Sequence, residues 1–264
     1  MKIIHPEARI GEGVEVGPFT TIAGDVVIGD GTWIGSNVSI MDGTRIGRNC
    51  RIFPGAIVGA IPQDLKYGGE HSLLELGDNV TVREYCTLNR GTKAGMLTRI
   101  GDNTLVMAYV HVAHDCIIGK NCIIANSVGL AGHIHVGDHV VLGGLTAVHQ
   151  FVKIGEHAMV GGGSLVRKDV PPYVKAAREP LSYVGINSVG LRRRGFTNDQ
   201  INHIQDVYRI LYVQGHNTSQ AIELIETTID PTMERDRILT FIRSADRGIM
   251  KGFRNTNSFN GAAS

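Results

Sequence analysis

Residues 109–118, YVHVAHDCII, place two histidines, an aspartate and a cysteine close together in the chain. His111 and His114 are three residues apart, and Asp115 directly follows the second histidine. An imidazole can act as a general base near neutral pH or bind a metal ion, and a neighbouring carboxylate can orient it. The stretch is therefore compatible with a general base, a metal site or a packed core. The choice between them depends on the elements that carry these side chains.

An aliphatic residue recurs at every sixth position from Ile4 to Val166. Of the 28 positions in this frame, 25 are Ile, Leu or Val, and 13 of those 25 are followed by Gly. A period of six fits neither an α-helix nor a long two-sided strand, but it fits short strands separated by glycine-assisted corners. One such strand cannot bury its face alone, so the sequence predicts a mainly β solenoid of stacked coils.

The repeat is interrupted at 59–73 and 90–99 and ends near residue 170. Functional loops often project from a solenoid at such interruptions. Farther on, Thr197 and Gln200 have the spacing of a capping box. Two more helices are expected at about 218–229 and 231–248, with Pro231 in the first turn of the last. We therefore predict a β domain over 1–170 and an α-helical domain over 171–264, with a disordered tail, NTNSFNGAAS.

Composition excludes several classes of protein. The net charge of +1 and the charged fraction of 19% give no overall field that would favour nucleic acid or a membrane surface. No apolar run has the length of a signal peptide or a transmembrane segment. The four cysteines fall at the small inward position of the repeat, where buried thiols of a reducing compartment are expected. We expect a soluble cytoplasmic protein.

The repeat resembles the hexapeptide-repeat left-handed parallel β-helix, in which three hexapeptides form one triangular coil of eighteen residues. In this frame Val112 and Cys116 point inward, so His111 and His114 point outward. One coil later Gly132 stacks on His114, and His133 stacks on Asp115. An outward position argues against a packed core histidine at either His111 or His114.

Six motifs carry a closer resemblance. They are, in chain order, PQDLKYGGE, YVHVAHDC, LAGH, TAVHQF, VPPY and LRRRGF. Their order and spacing resemble those of the UDP-N-acetylglucosamine O-acyltransferases that open lipid A biosynthesis. The resemblance covers about residues 4–200. It implies transfer of a long, 3-hydroxylated acyl chain from an acidic acyl carrier protein to the sugar 3-hydroxyl, in a homotrimer that needs no cofactor or metal.

The resemblance also implies residue roles. His114 would be the general base, Asp115 its support, and Gly132 the backbone donor to the oxyanion. The residues that would bind the sugar and the acyl chain are Gln63, Asp64, Lys66, His111 and His133. Those expected at the nucleotide are His149, Gln150, Asn187, Arg193 and Arg194. Gly162, in MVGGGS, would limit the length of the acyl chain.

Two departures from the family pattern concern the nucleotide. Val189 stands where many members have Glu, and the stretch before Asn187 lacks a histidine that some members have there. Another acyltransferase of the same fold remains an alternative, although the related N-acyltransferases carry an additional N-terminal uridine-binding domain, which we do not expect here because the repeat begins at Ile4. A zinc lyase of the carbonic anhydrase type is a second alternative, since three converging histidines could bind a metal.

Overall fold

The computed structural model describes residues 1–252, so the predicted disordered tail lies outside the described residues. Short strands occupy the chain as far as residue 166, and each hexapeptide contributes one strand. They are β1 (Ile3–Ile4), β2 (Arg9–Ile10), β3 (Glu15–Val16), β4 (Thr21–Ile22), β5 (Val26–Ile28), β6 (Trp33–Ile34), β7 (Ser39–Ile40), β8 (Thr44–Ile46), β9 (Arg51–Ile52), β10 (Ile57–Ala60), β11 (Leu73–Leu76), β12 (Thr81–Val82), β13 (Thr87–Asn89), β14 (Leu97–Ile100), β15 (Leu105–Val106), β16 (His111–Val112), β17 (Ile117–Ile118), β18 (Ile123–Ile124), β19 (Gly129–Leu130), β20 (His135–Val136), β21 (Val141–Leu142), β22 (Ala147–Val148), β23 (Lys153–Ile154), β24 (Met159–Val160) and β25 (Leu165–Val166).

Every third strand belongs to the same parallel sheet, so three sheets form the faces of a prism. Sheet A contains β1, β4, β7, β10, β13, β16, β19, β22 and β25, sheet B runs from β2 to β23 in the same steps of three, and sheet C begins with β3 and reaches β24. The aliphatic residue of each repeat points into the prism, and Ile34, Val82 and Leu130 have no exposed surface. The predicted parallel β-helix is confirmed.

Most hexapeptides turn a corner at a residue with left-handed backbone angles. Glycine occupies some of these positions, as at Gly31 (φ 67°), because it has no Cβ to clash there. Other corners carry Asn37 (φ 55°) or Asp115 (φ 59°), whose short polar side chains tolerate this region. The four cysteines are free and buried beside such corners, as predicted.

Two loops leave the prism, and both insert whole multiples of the repeat. In most strands each residue pairs with the residue eighteen positions later, as Ser39 does with Ile57. Ile57, however, pairs with Thr87, thirty residues later, because residues 61–72 form a loop between β10 and β11. Leu76 pairs with Ile100, twenty-four residues later, because residues 90–96 form a second loop between β13 and β14. The loops therefore add twelve and six residues without shifting the six-residue frame.

Sheet C continues beyond the predicted domain boundary. Three further strands join it, namely β26 (Val174–Ala177), β27 (Ser182–Ile186) and β28 (Lys251–Gly252). β26 is parallel to β24, with Lys175 opposite Met159, and β27 turns back antiparallel to it. The C-terminal helices therefore begin only at residue 188, after two strands without hexapeptide spacing that extend this face of the prism.

Four helices complete the described chain. They are α1 (Ser188–Arg193), α2 (Asn198–Tyr212), α3 (Thr218–Thr228) and α4 (Met233–Arg243). The capping box predicted at the start of α2 is confirmed, because Thr197 and Gln200 exchange both side chain to backbone hydrogen bonds. α4 begins after Pro231, at the N-cap Thr232, and is shorter than predicted. No helix within residues 1–252 is both long and apolar enough to cross a membrane.

Candidate active site

The corner between β16 and β17 carries His114 and Asp115. His114 is the last outward residue before the corner, and Asp115 makes the turn with left-handed backbone angles. The Asp115 N–H donates to Thr98 Oγ1 (2.8 Å) in the coil below. The Asp115 side chain is only 3% exposed, whereas that of His114 is 14% exposed. The corner thus buries the carboxylate and leaves the imidazole accessible, at the surface as predicted.

A hydrogen bond between the two side chains determines which imidazole nitrogen is available. His114 Nδ1 lies 2.9 Å from Asp115 Oδ2. A carboxylate without a proton only accepts hydrogen bonds, so Nδ1 carries a proton and donates a hydrogen bond to Asp115. In the neutral imidazole, Nε2 then has the free lone pair. An imidazole whose tautomer is held in this way by a buried carboxylate can act as a general base.

A residue of the second loop donates hydrogen bonds to both oxygens of the Asp115 carboxylate. Thr92 Oγ1 donates to Asp115 Oδ2 (2.7 Å), and the Thr92 N–H donates to Oδ1 (3.2 Å). Thr92 itself is 8% exposed. The lapse in the repeat locates this loop in the sequence, but no sequence pattern points to Thr92 itself.

Gly132 lies directly above the imidazole, one coil later. A Cβ at this position would come within 2.3 Å of His114 Cε1 and 2.6 Å of Nε2, so any other residue would displace the His114 ring. Within the described part of the chain, the Gly132 N–H has no hydrogen-bond acceptor. An unpaired N–H beside a general base is a suitable donor for a developing oxyanion.

The first loop approaches the base from the side of Nε2. Asp64 Oδ2 is 3.9 Å from His114 Nε2, and Asp64 Oδ1 accepts a hydrogen bond from the backbone N–H of Lys66 (2.9 Å). Gln63 and Lys66 are exposed on the same loop. The predicted Asp64 is thus brought to the base, while Gln63 and Lys66 belong to the surface around it.

The other two histidines predicted to bind the sugar and the acyl chain have distinct environments. His133 packs edge to face against His114, with ring centroids 5.1 Å apart, and stacks on Phe151. His111 Nδ1 lies 2.7 Å from Thr87 Oγ1. Burial, with a smaller contribution from His114, lowers the pKa of His111. His111 is therefore poised as a neutral hydrogen-bonding group close to the base.

The residues predicted to bind the nucleotide do not form one cluster in a single chain. His149 and Gln150 are exposed after β22, on the same corner as His114. Asn187 lies on a different corner, where it caps α1 and donates to the backbone oxygen of His157 (2.9 Å). Arg193 and Arg194 end that helix. Val189 lies in the same helix and is exposed.

Gly162 lies on the third corner, between β24 and β25. A Cβ there would be 3.0 Å from the backbone oxygen of Gly144, the residue one coil below. The three corners of one prism thus separate the base at His114, the helix-capping Asn187 and Gly162. Each could meet another only across two neighbouring copies of the chain.

The same corner contains a group of atoms that could bind a metal. His114, Asp115 and His133 each offer one ligand atom, and these lie within 4.8 Å of one another. Asp115, however, is already engaged by Thr92 and by His114 Nδ1. Zinc would have to compete with both contacts.

Comparison with known proteins identifies the family. Residues 169–250 match the family model described as UDP N-acetylglucosamine O-acyltransferase, domain 2, and residues 25–60 and 97–132 match bacterial transferase hexapeptide repeats. Acyl-[acyl-carrier-protein]--UDP-N-acetylglucosamine O-acyltransferases are 54% identical in Sulfurihydrogenibium sp. (94% of this chain and 92% of the relative) and 53% identical in Chlorobaculum tepidum (95% and 96%). The crystal structure of a UDP-N-acetylglucosamine acyltransferase from Bacteroides fragilis superposes with a TM-score of 0.93, at 49% identity and with 95% and 98% of the two chains covered. These likenesses extend over nearly the whole chain and include both predicted regions. The chain belongs to the family of UDP-N-acetylglucosamine O-acyltransferases.

Proposed function

We propose that this protein transfers an acyl group from acyl carrier protein to the 3-hydroxyl of UDP-N-acetylglucosamine, the first step of lipid A biosynthesis. Its family members carry that donor and that acceptor in their names. The observation that carries the proposal is the stack of His114 beneath Gly132. It places an available basic nitrogen next to an unpaired N–H. Neither alternative, a different acceptor or a zinc lyase, is favoured by these relatives.

The reaction requires one proton transfer and one oxyanion site. A thioester is already activated, so His114 Nε2 takes the proton of the sugar hydroxyl as its oxygen attacks the thioester carbon. The Gly132 N–H stabilises the negative charge on the thioester oxygen in the tetrahedral intermediate. Collapse of that intermediate breaks the carbon–sulfur bond, and the proton held by His114 passes to the leaving thiolate. Asp115 stabilises the imidazolium between these two events.

Substrate binding is assigned to the groups around the base. The sugar and the acyl chain are assigned to Gln63, Asp64, Lys66, His111 and His133. The nucleotide is assigned to His149, Gln150, Asn187, Arg193 and Arg194. Because Asn187 and the arginines lie on a different corner from His114, we propose a homotrimer in which each site uses corners of two neighbours.

The donor and the cellular location form part of the same proposal. Arg192 and Arg193 are exposed at the end of α1, where a cationic surface would attract an acidic carrier protein. Four free, buried cysteines are typical of a reducing compartment. We therefore place the reaction in the cytoplasm, without a cofactor or a metal.

Replacement of His114 tests the proposed reaction. We expect the wild type to form a 3-O-acylated UDP-sugar, detected by mass spectrometry, from UDP-N-acetylglucosamine and acyl carrier protein with a 3-hydroxyacyl chain. His114→Ala should lose activity by roughly a hundredfold to ten-thousandfold, the usual contribution of a positioned general base. Its circular dichroism should not change, because the side chain lies outside the core.

Two controls separate the alternatives. His216→Ala changes an exposed histidine between α2 and α3 and should leave the rate unchanged. Treatment with a metal chelator should also leave the wild-type rate unchanged. Acyl transfer that disappears with the chelator and returns with zinc would contradict the proposal of a reaction without a metal. An active, folded His114→Ala variant would contradict the role of the base.

A further inference from the structure

Thr92 belongs to neither the hexapeptide frame nor the set of residues assigned to catalysis above. It lies in the second loop, residues 90–96, which adds one repeat length to the coil below His114. Its hydroxyl donates to Oδ2 of the buried Asp115 carboxylate, the oxygen that also accepts from His114 Nδ1. We propose that Thr92 is a positioning residue, which holds the Asp115 carboxylate in the orientation that keeps His114 Nδ1 protonated and Nε2 basic. This inference rests on the proposed function.

The hydrogen bonds around Asp115 account for nearly every direction in which the carboxylate can accept. Oδ2 receives both the Thr92 hydroxyl (2.7 Å) and His114 Nδ1 (2.9 Å), and Oδ1 receives the Thr92 N–H (3.2 Å). His133 Nε2 is 3.7 Å from Oδ2, beyond normal hydrogen-bond distance. Thr92 therefore supplies two of the three donors that determine the orientation of the carboxylate.

The loop backbone is itself fixed where Thr92 begins. The Gly91 N–H donates to the backbone oxygen of Leu73 (3.1 Å), and the Gly91 oxygen accepts from the hydroxyl of the buried Ser72. A Cβ on Gly91 would lie 2.9 Å from Asp115 Oδ1 and 2.6 Å from the backbone oxygen of Met96. Gly91 thus permits the close approach of the loop to the carboxylate, and the end of the first loop holds it there.

Two effects follow from the loss of the Thr92 hydroxyl. The carboxylate loses a donor and becomes a stronger acceptor for His114, so protonation of the base is favoured. The carboxylate also becomes free to rotate about its Cβ–Cγ bond, so the wrong imidazole tautomer becomes accessible. Neither effect changes the residues that contact the substrate. The rate of the chemical step should therefore fall more than the affinity for the substrate.

The test compares Thr92→Val with Thr92→Ser in the full-length enzyme. We expect Thr92→Val to lower kcat by roughly tenfold to a hundredfold, the factor to which loss of a hydrogen bond to a charged group corresponds. The KM for each substrate should change by less than about twofold, since uniform binding is retained. The acid limb of the pH profile should move to higher pH. Thr92→Ser retains the hydroxyl and should restore both kcat and the profile.

A matched substitution controls for loss of packing. Thr104 is another buried corner threonine, and its hydroxyl donates only to a backbone oxygen, that of Gly119 (3.0 Å). Thr104→Val should lower the thermal midpoint and leave kcat and the pH profile unchanged. Equal losses of kcat in Thr92→Val and Thr92→Ser, or a lowered kcat with an unchanged acid limb, would overturn the positioning role. An inactive wild type would contradict the proposed function instead.

Discussion

Histidines at two corners of the prism differ in what surrounds them. His114 is accessible and bonded to a carboxylate, whereas His157 is 8% exposed and stacks between His139 and Tyr173, with ring centroids 4.7 and 5.6 Å away. Burial, assisted by His139, lowers the pKa of His157 to about 4, although Glu156 opposes the change. His157 is therefore a neutral part of the structure, and its protonation should oppose folding.

The free energy of unfolding should consequently depend on His157 at acidic pH. The unfolded chain takes up this proton near pH 6.5, but the folded chain takes it up only near pH 4. The contribution of the neutral His157 to the free energy of unfolding is thus complete above about pH 6.5 and decreases as the pH falls toward 4. His157→Phe keeps the stack and should reduce the slope of stability against pH in this range by about 1.4 kcal/mol per pH unit.

Chemical denaturation at a fixed protein concentration, at several values between pH 4 and 7, measures this slope. This range includes both the pKa of His157 in the folded chain, about 4, and its ordinary value of 6.5. His216→Phe, which changes an exposed histidine, should retain the wild-type slope. Parallel curves for the wild type and His157→Phe would show that His157 does not titrate between the two states.

At the scale of elements, a contact between the loops positions Asp64. Arg90, the first residue of the second loop, donates from Nη2 to the Tyr67 hydroxyl (2.8 Å) and from Nη1 to the backbone oxygen of Asp42. The Tyr67 hydroxyl in turn donates to the backbone oxygen of Glu70 (3.0 Å). The turn that carries Asp64 is thus tied to the prism through Tyr67 and Arg90.

Tyr67→Phe should loosen that turn. Because Asp64 and Lys66 are assigned to the sugar, we expect the KM for UDP-N-acetylglucosamine to rise by roughly threefold to tenfold, equivalent to one net hydrogen bond. Trypsin should also cleave faster after Lys66. Tyr212→Phe is the matched control, since the buried Tyr212 hydroxyl has no hydrogen-bond partner within residues 1–252. Unchanged KM and unchanged cleavage would contradict the coupling of the two loops.

The regular coils could be predicted from sequence, but the contacts of the loops could not. The stack of Gly132 on His114 follows from a coil of eighteen residues, and no insertion interrupts the chain after residue 99. The contact between Thr92 and Asp115 does not, because a loop has no period from which its neighbours can be counted. Nor did the spacing indicate β26, which pairs with β24, or β27, which pairs with β26, because neither has hexapeptide spacing.

At the scale of the whole molecule, the three corners carry three different groups. His114 lies between sheets A and B, Asn187 lies near the corner between sheets B and C, and Gly162 lies between sheets C and A. A homotrimer and a substrate that extends from one copy to the next remain predictions. They explain why one site would draw on residues from separate corners.

Gly162→Met tests the extended substrate. Gly162 is exposed, so the methionine side chain would project from the surface at this position and close the proposed acyl groove. Among donors of about ten to about sixteen carbons, preference should shift to shorter chains by at least about tenfold in kcat/KM, because several methylenes lose their burial. Ser36→Met places the same side chain in the same slot of this corner, several coils away, and should leave the preference unchanged. A folded Gly162→Met variant with the wild-type preference would exclude Gly162 from the groove.

The lengths of the two loops have a consequence for how this fold acquires an active site. Twelve and six residues are whole numbers of hexapeptides, so the register of the chain after each loop is that of an uninterrupted prism. A loop of this kind can arise when a hexapeptide is duplicated and then diverges, and its removal by deletion would restore a plain scaffold. The repeat supplies His114 and Gly132, whereas the insertions supply Asp64 and Thr92. The neighbours of His114 could therefore be gained or lost by whole hexapeptides while His114 and Gly132 keep their register in the prism.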